Sequence, residues 1–165
     1  MGTLKNVLAF FCLGSVLYIF ISLVSYSSLD PSLSSVSSLS GDIENLGGPF
    51  GAYLSDALFS VIGLGAYLFL TIISFAAVKT LFFYQQTDSL HKAIQITSAI
   101  FLISSFSTLC EFYYSGDYFP QSSSGGLVGN LLFTNLSNIF GVVGSLIFIV
   151  IFFLASISLT FSFSW

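Results

Sequence analysis

Charge is what this sequence most lacks. Only 6% of its 165 residues are Asp, Glu, Lys or Arg, where a soluble domain carries about 25%, so a water-facing globular surface is excluded. Three basic residues stand against seven acidic ones, a formal net charge of -4, which leaves no electrostatic footprint for nucleic acid. Histidine occurs once, at His91, and cysteine twice, at Cys12 and Cys110. Metal sites need several clustered ligands, so no zinc site can be assembled from these. The Lys-Ser/Thr pair Lys79-Thr80 follows SFAAV rather than the glycine loop of a nucleotide site, and nucleophile-elbow and Rossmann patterns are also missing. No enzyme activity and no cofactor are expected of this segment.

What fills the space is apolar. Hydrophobic residues make up 55% of the chain, with 20 Phe and a mean hydropathy of +0.98. Four segments are long enough for a hydrocarbon core that needs about 20 helical residues: about 4–25, 49–84, 93–113 and 127–163. They predict an all-α integral membrane fold with four transmembrane helices. Loops of about 26–48 and 114–126 would lie on one side, and a loop of about 85–92 on the other. The first apolar run exceeds the 7 to 15 residues of a signal-peptide core, which favours an uncleaved helix. The second and fourth segments, about 55 Å long as helix, overshoot the bilayer. Their polar, glycine-containing openings place the excess in or beyond the headgroups.

Lys5 precedes the first helix, while Lys79 and Lys92 flank the loop between the second and third. All three fall on one side, and the positive-inside rule makes it cytoplasmic; both termini are therefore expected there. Asp30, Asp42, Glu44 and Asp117 fall in the opposite, outer loops. Cys12 and Cys110 are then in opposite leaflets, beyond disulfide reach.

Setting GGPFGAYLSDALFSVIGLGA beside GGLVGNLLFTNLSNIFGVVG aligns Gly47, Gly48, Gly51 and Gly63 with Gly125, Gly126, Gly129 and Gly141, and Leu54 and Leu58 with Leu132 and Leu136. That register predicts a tandem repeat of two helix pairs. Gly47-x3-Gly51 and Gly125-x3-Gly129 have the small-xxx-small spacing that lets helices approach closely. Gly47, Gly48, Gly125 and Gly126 equally suit turns that open a helix, with Pro49 at the first helical position. Ala52, Asp56, Gly63 and Tyr67 are placed on one helical face as a packing surface.

Asp56 and Glu111 are ionisable residues in apolar segments, which makes each a candidate site. Their positions near the outer ends favour interfacial anchoring, Asp56 near a helix N-terminus, over a proton or ion relay. Asn130, Asn135 and Asn138 are candidates for interhelical hydrogen bonds. Tyr113, Tyr114, Tyr118 and Trp165 are candidate interfacial aromatics.

SYSSLDPSLS after the first helix, then NLGGPFGAYLSDALFSVIGLGAY, then GGLVGNL and a closing LTFSFSW, resemble the amino-terminal four-helix membrane domain of the FtsK/SpoIIIE family of DNA translocases. Tyr26, Asp30, Pro31 and Ser32 fit the first motif. Gly47, Gly48, Gly51, Ala52, Tyr53, Leu54, Asp56, Leu58, Phe59 and Gly63 fit the second. Tyr53 stands where tryptophan is common, and the final helix lacks the usual glycine before Ser-Trp.

The resemblance implies a membrane anchor in the bacterial inner membrane, enriched at the division septum. Its implied partners are the lipid bilayer, other cell-division membrane proteins and further copies of itself, a hexamer in the family. Such an anchor would serve a translocase that couples chromosome segregation to division. A cytoplasmic ATPase motor would follow Trp165 in a family member, so these residues read as an excised anchor domain; ATP is expected only with the motor. The competing reading is a small four-helix transporter or channel subunit using Asp56 and Glu111.

Overall fold

The structure, a computed structural model, describes residues 2–31, 33, 43–82, 89–114 and 123–161. Five helices follow in order: α1 Gly2–Val24, α2 Gly48–Ile62, α3 Gly65–Phe82, α4 Ser89–Tyr113 and α5 Gly126–Phe161. No strand occurs among the described residues. Four helices are long and apolar enough to span a membrane, over Asn6–Val24, Gly65–Phe82, Ser89–Tyr113 and Gly126–Phe161. The fold is that of a four-span membrane protein. Val7, Phe10 and Phe11 on α1 are 63%, 68% and 77% exposed, an arrangement suited to lipid contact, because lipid tails are as apolar as the side chains.

Three features differ from the sequence expectation. The segment read as one helix over 49–84 is two, because Gly63 adopts φ 55 and the helix stops at Ile62 before restarting at Gly65. The surface of Ala52, Asp56, Gly63 and Tyr67 is therefore not one continuous helical face. α2, with 15 residues, reaches about 22 Å and is too short to cross alone. α5 is interrupted too, at Gly141 with φ 70 and ψ 168. Finally α4 starts at Ser89, so His91 and Lys92 lie in its first turn rather than in a loop.

The chain divides into two compact units: Met1–Leu58 with Tyr67–Gln85, and Phe59–Ala66 with Gln86–Trp165. In the first, Leu23, Ala52 and Leu70 are buried, and the Tyr67 hydroxyl donates to the Leu23 carbonyl at 3.4 Å. In the second, α4 packs against α5 around Leu102 and Ile149, 0% and 3% exposed. Phe101 stacks with Phe152 and Phe106 with Phe153. At one end of this pair the Thr160 hydroxyl donates to Ser98 at 3.1 Å; toward the other, Phe112 meets Phe133 at 5.8 Å.

Candidate functional site

A helix that begins against another helix must satisfy its first N–H groups and bring two backbones close together. In the first unit this happens where α2 meets the end of α1. Asp30, 2% exposed, accepts the N–H groups of Glu44 and Asn45 at 2.8 and 2.9 Å. One carboxylate thus fixes the chain as it leads into α2, through charge-assisted bonds. Asn45, 3% exposed, donates to the Ser22 carbonyl at 2.8 Å and accepts the Gly47 N–H at 2.8 Å. The Tyr18 hydroxyl donates to the Gly47 carbonyl at 2.7 Å.

Gly47 and Gly51 lie against Ser22. A Cβ on Gly51 would sit 2.7 Å from both the Ser22 Oγ and the Asn45 Oδ1, so any larger residue there would have to displace those side chains. Gly48 has φ +65, and Pro49, without an N–H, follows it into the helix.

Asp56 is 1% exposed and accepts the Tyr26 hydroxyl at 3.2 Å. It is therefore buried inside the protein, with a protein donor at its carboxylate. Burial, followed by the Asp56 charge and hydrogen bond and the Asp30 charge, pushes the Tyr26 phenol up to about 12.

The second unit builds a matching helix start where α5 meets α4. Gly125 donates its N–H to Glu111 Oε2 at 3.0 Å, and Asn130 reaches Glu111 Oε1 at 3.4 Å. Glu111 thus caps the start of α5. A Cβ on Gly129 would sit 2.5 Å from the Ser107 carbonyl oxygen, as Gly51 sits on Ser22. The Ser107 hydroxyl donates to the Ile62 carbonyl at 2.8 Å, and the Leu64 N–H to the Ser124 carbonyl at 2.8 Å. The break between α2 and α3 is therefore held by α4 and the start of α5. A Cβ on Gly126 would sit 2.5 Å from the Gly63 nitrogen.

The starts of α2 and α5 share backbone detail. Gly48 and Gly126 donate to Asn45 and Ser123 at 2.9 and 2.8 Å; Gly51 and Gly129 donate to Gly47 and Gly125 at 3.2 and 3.0 Å. The positive-φ glycines of the described residues are Gly48, Gly63, Gly126 and Gly141, and they pair at one offset of 78 (126 − 48 and 141 − 63).

The remaining sequence candidates fall as follows. Lys5 is in the first turn of α1, Lys79 in the last turn of α3 and Lys92 in the first of α4. Asn135 donates back to its own helix at Leu131, and Asn138 is exposed; of the three asparagines, Asn130 bonds across to α4. Tyr113 and Tyr114 are 72% and 55% exposed, while Asp42, Tyr118, Asp117, Ser32 and Trp165 lie outside the described residues. Sequence reasoning missed Ser22, Ser107 and Asn45. The available signal was a serine near the end of each apolar helix that precedes a GGxxG helix start.

Such helix starts define a polytopic α-helical membrane domain whose buried polar groups hold helix ends together. No group of three or more His, Cys, Asp or Glu able to hold a metal occurs among the described residues.

The chain belongs to the family described as the 4TM region of DNA translocase FtsK/SpoIIIE, whose profile matches residues 2–165. It is 30% identical over 158 residues to DNA translocase FtsK 1 of Neisseria meningitidis serogroup B, covering 93% of this chain and 20% of that protein. With DNA translocase FtsK of Pseudomonas syringae pv. tomato the identity is 27%, over 90% of this chain and 19% of the relative. With that of Vibrio vulnificus it is 32%, over 70% and 12%. The chain thus spans about one-fifth of the length of the first two of these relatives, and the matched part is the transmembrane, non-motor region. No solved structure matches.

Proposed function

We propose that this chain is the membrane anchor of a DNA translocase that couples chromosome segregation to cell division. In this reading it lies in the bacterial inner membrane with both termini cytoplasmic, is enriched at the septum, self-associates and engages other division proteins. The observation that carries the reading is the family match across residues 2–165, on a chain with four candidate spans.

Sidedness rests on Lys79 and Lys92, which flank the α3–α4 connection, and on the positive-inside rule. We further infer that α1–α3 and α4–α5 descend from one repeated unit. The shared φ values and opening hydrogen bonds of the two glycine sets favour that reading. Gly63 and Gly141 then mark the same helix break.

Among the described residues, no geometric feature favours the transporter reading. Asp56 is held by Tyr26 and Glu111 by Gly125 and Asn130, each within its own unit. Fusion of residues 1–165 to a fluorescent reporter tests the anchor: septal bands in dividing cells are expected, and uniform membrane fluorescence would count against it. Asp56→Asn should impair division or protein level without altering proton flux. A flux phenotype with normal division would reverse the assignment.

A further inference from the structure

Within the second unit, the helix break at Gly63 is mated to the start of α5 at Gly126. The Leu64 N–H donates to the Ser124 carbonyl at 2.8 Å, and a Cβ on Gly126 would stand 2.5 Å from the Gly63 nitrogen. Glycine on both sides lets the two backbones touch. The offset of 78 relates this break to Gly141 and this start to Gly48 (141 − 63 and 126 − 48). All four glycines have positive φ, 55 and 70 at the breaks, 63 and 65 at the starts. Yet a Cβ on Gly141, or on Gly48, would meet nothing within 4 Å. The chain makes the junction once and carries a second example of each half open.

Burial divides the same way. Ser124 is 4% exposed at the mated start, whereas Leu46, its match at the open start (124 − 46 = 78), is 79% exposed. At the mated break Gly65 is buried, whereas its match Val143 (143 − 65 = 78) is 72% exposed. The Leu46 carbonyl, the counterpart of the Ser124 acceptor, takes no hydrogen bond among the described residues. Equivalent positions are thus packed in one setting and bare in the other.

The mated junction states what each open half accepts. An open break of the Gly63 kind takes a helix start with a positive-φ glycine, and an open start of the Gly126 kind takes such a break. A second copy of the chain offers both, and two different patches that fit one another join head to tail. We propose that copies of this chain associate through these halves, the α5 break of one copy at 141–143 seated on the α2 start of the next at 46–50. In that contact Val142 faces the Leu46 carbonyl as Leu64 faces Ser124. It contributes to association and not to the folding of a single copy. The inference rests on the repeat and the self-association put forward above, and names the surface that would carry the latter.

The test is disulfide trapping in phospholipid vesicles, in a chain whose free Cys12 and Cys110 are replaced by serine. Leu64→Cys with Ser124→Cys in one chain reports that the mated junction has folded. Leu46→Cys and Val142→Cys are then placed on separate chains with tags of different mass and oxidised together. A disulfide-linked heterodimer is expected, several-fold above the collisional yield of Leu46→Cys with Tyr113→Cys, a position 72% exposed. Neither variant alone should link to itself above that yield, and a chain carrying both should give a ladder of linked copies. Self-linking through Leu46→Cys or Val142→Cys at equal yield would mean a two-fold interface and overturn the head-to-tail contact. So would a disulfide within one chain carrying both. Single-molecule photobleaching separates the two levels of failure. Oligomers that form without the 46–142 link overturn this surface alone, whereas a chain that stays monomeric at every protein-to-lipid ratio removes self-association as well.

Discussion

Burying a carboxylate costs several kcal/mol unless hydrogen bonds compensate, and Asp30 and Asp56, 2% and 1% exposed, meet that condition differently. Asp30 takes two backbone N–H groups, whereas Asp56 takes the Tyr26 hydroxyl. Tyr26→Phe removes that donor from a buried acceptor, so a loss of about 1–3 kcal/mol is expected, read as a lower melting temperature in detergent. The same substitution reads out pH dependence. The folded Tyr26 phenol, pushed up to about 12, lies above its ordinary value near 10. Its contribution to stability is therefore complete below pH ~10 and is lost as pH rises toward ~12. An ultraviolet phenolate titration should show a late tyrosine in the wild type that is missing from Tyr26→Phe; superimposable curves would place Tyr26 elsewhere.

The two close glycines rank differently. Gly129→Ala meets a helix carbonyl of Ser107, while Gly51→Ala meets the side chains of Ser22 and Asn45, which can turn aside. Gly129→Ala should therefore destabilise more, within the 1–3 kcal/mol roughly typical of overpacking. Ser22→Ala should recover part of the Gly51→Ala loss and none of the Gly129→Ala loss, as judged by melting. Asp30, Tyr26 and Asp56 were all visible in the sequence as motif residues. Their roles were not, because each partner lies 14 to 30 positions away.

Hydropathy located the spans well because about 20 apolar residues in a row have few alternatives in a bilayer. It could not find the breaks. No proline interrupts 49–84 beyond Pro49, and a lone glycine in a helical pattern is normally tolerated. At Gly63 the decision is tertiary: Ser107 and Ser124 take up the backbone groups that the break releases. A Cβ there would collide with the Ser124 carbonyl, whereas a Cβ on Gly141 meets nothing within 4 Å. Gly141→Ala should then cost only the penalty of an extended, positive-φ conformation (φ 70, ψ 168) that is essentially restricted to glycine, about 1–3 kcal/mol, while Gly63→Ala should prevent stable folding. Expression and monodispersity in detergent compare the two. Equal tolerance would mean that the α2–α3 break is not held by α4 and the start of α5.

Four spans make an anchor useful only if the C-terminal end of α5 emerges on the side where a DNA motor can work. The lysines that argue for this, Lys79 in the last turn of α3 and Lys92 in the first of α4, were legible because the rest of the chain is almost uncharged. Gly48, Gly126 and their opening hydrogen bonds add only that α2 and α5 begin in one manner. The direct measurement is a pair of reporter fusions, one after Trp165 and one within 115–122, each made with green fluorescent protein and with alkaline phosphatase. Fluorescence without phosphatase activity after Trp165, and phosphatase activity without fluorescence within 115–122, is the expected result. Phosphatase activity after Trp165 would put the C-terminus on the wrong side of the membrane and contradict the anchor.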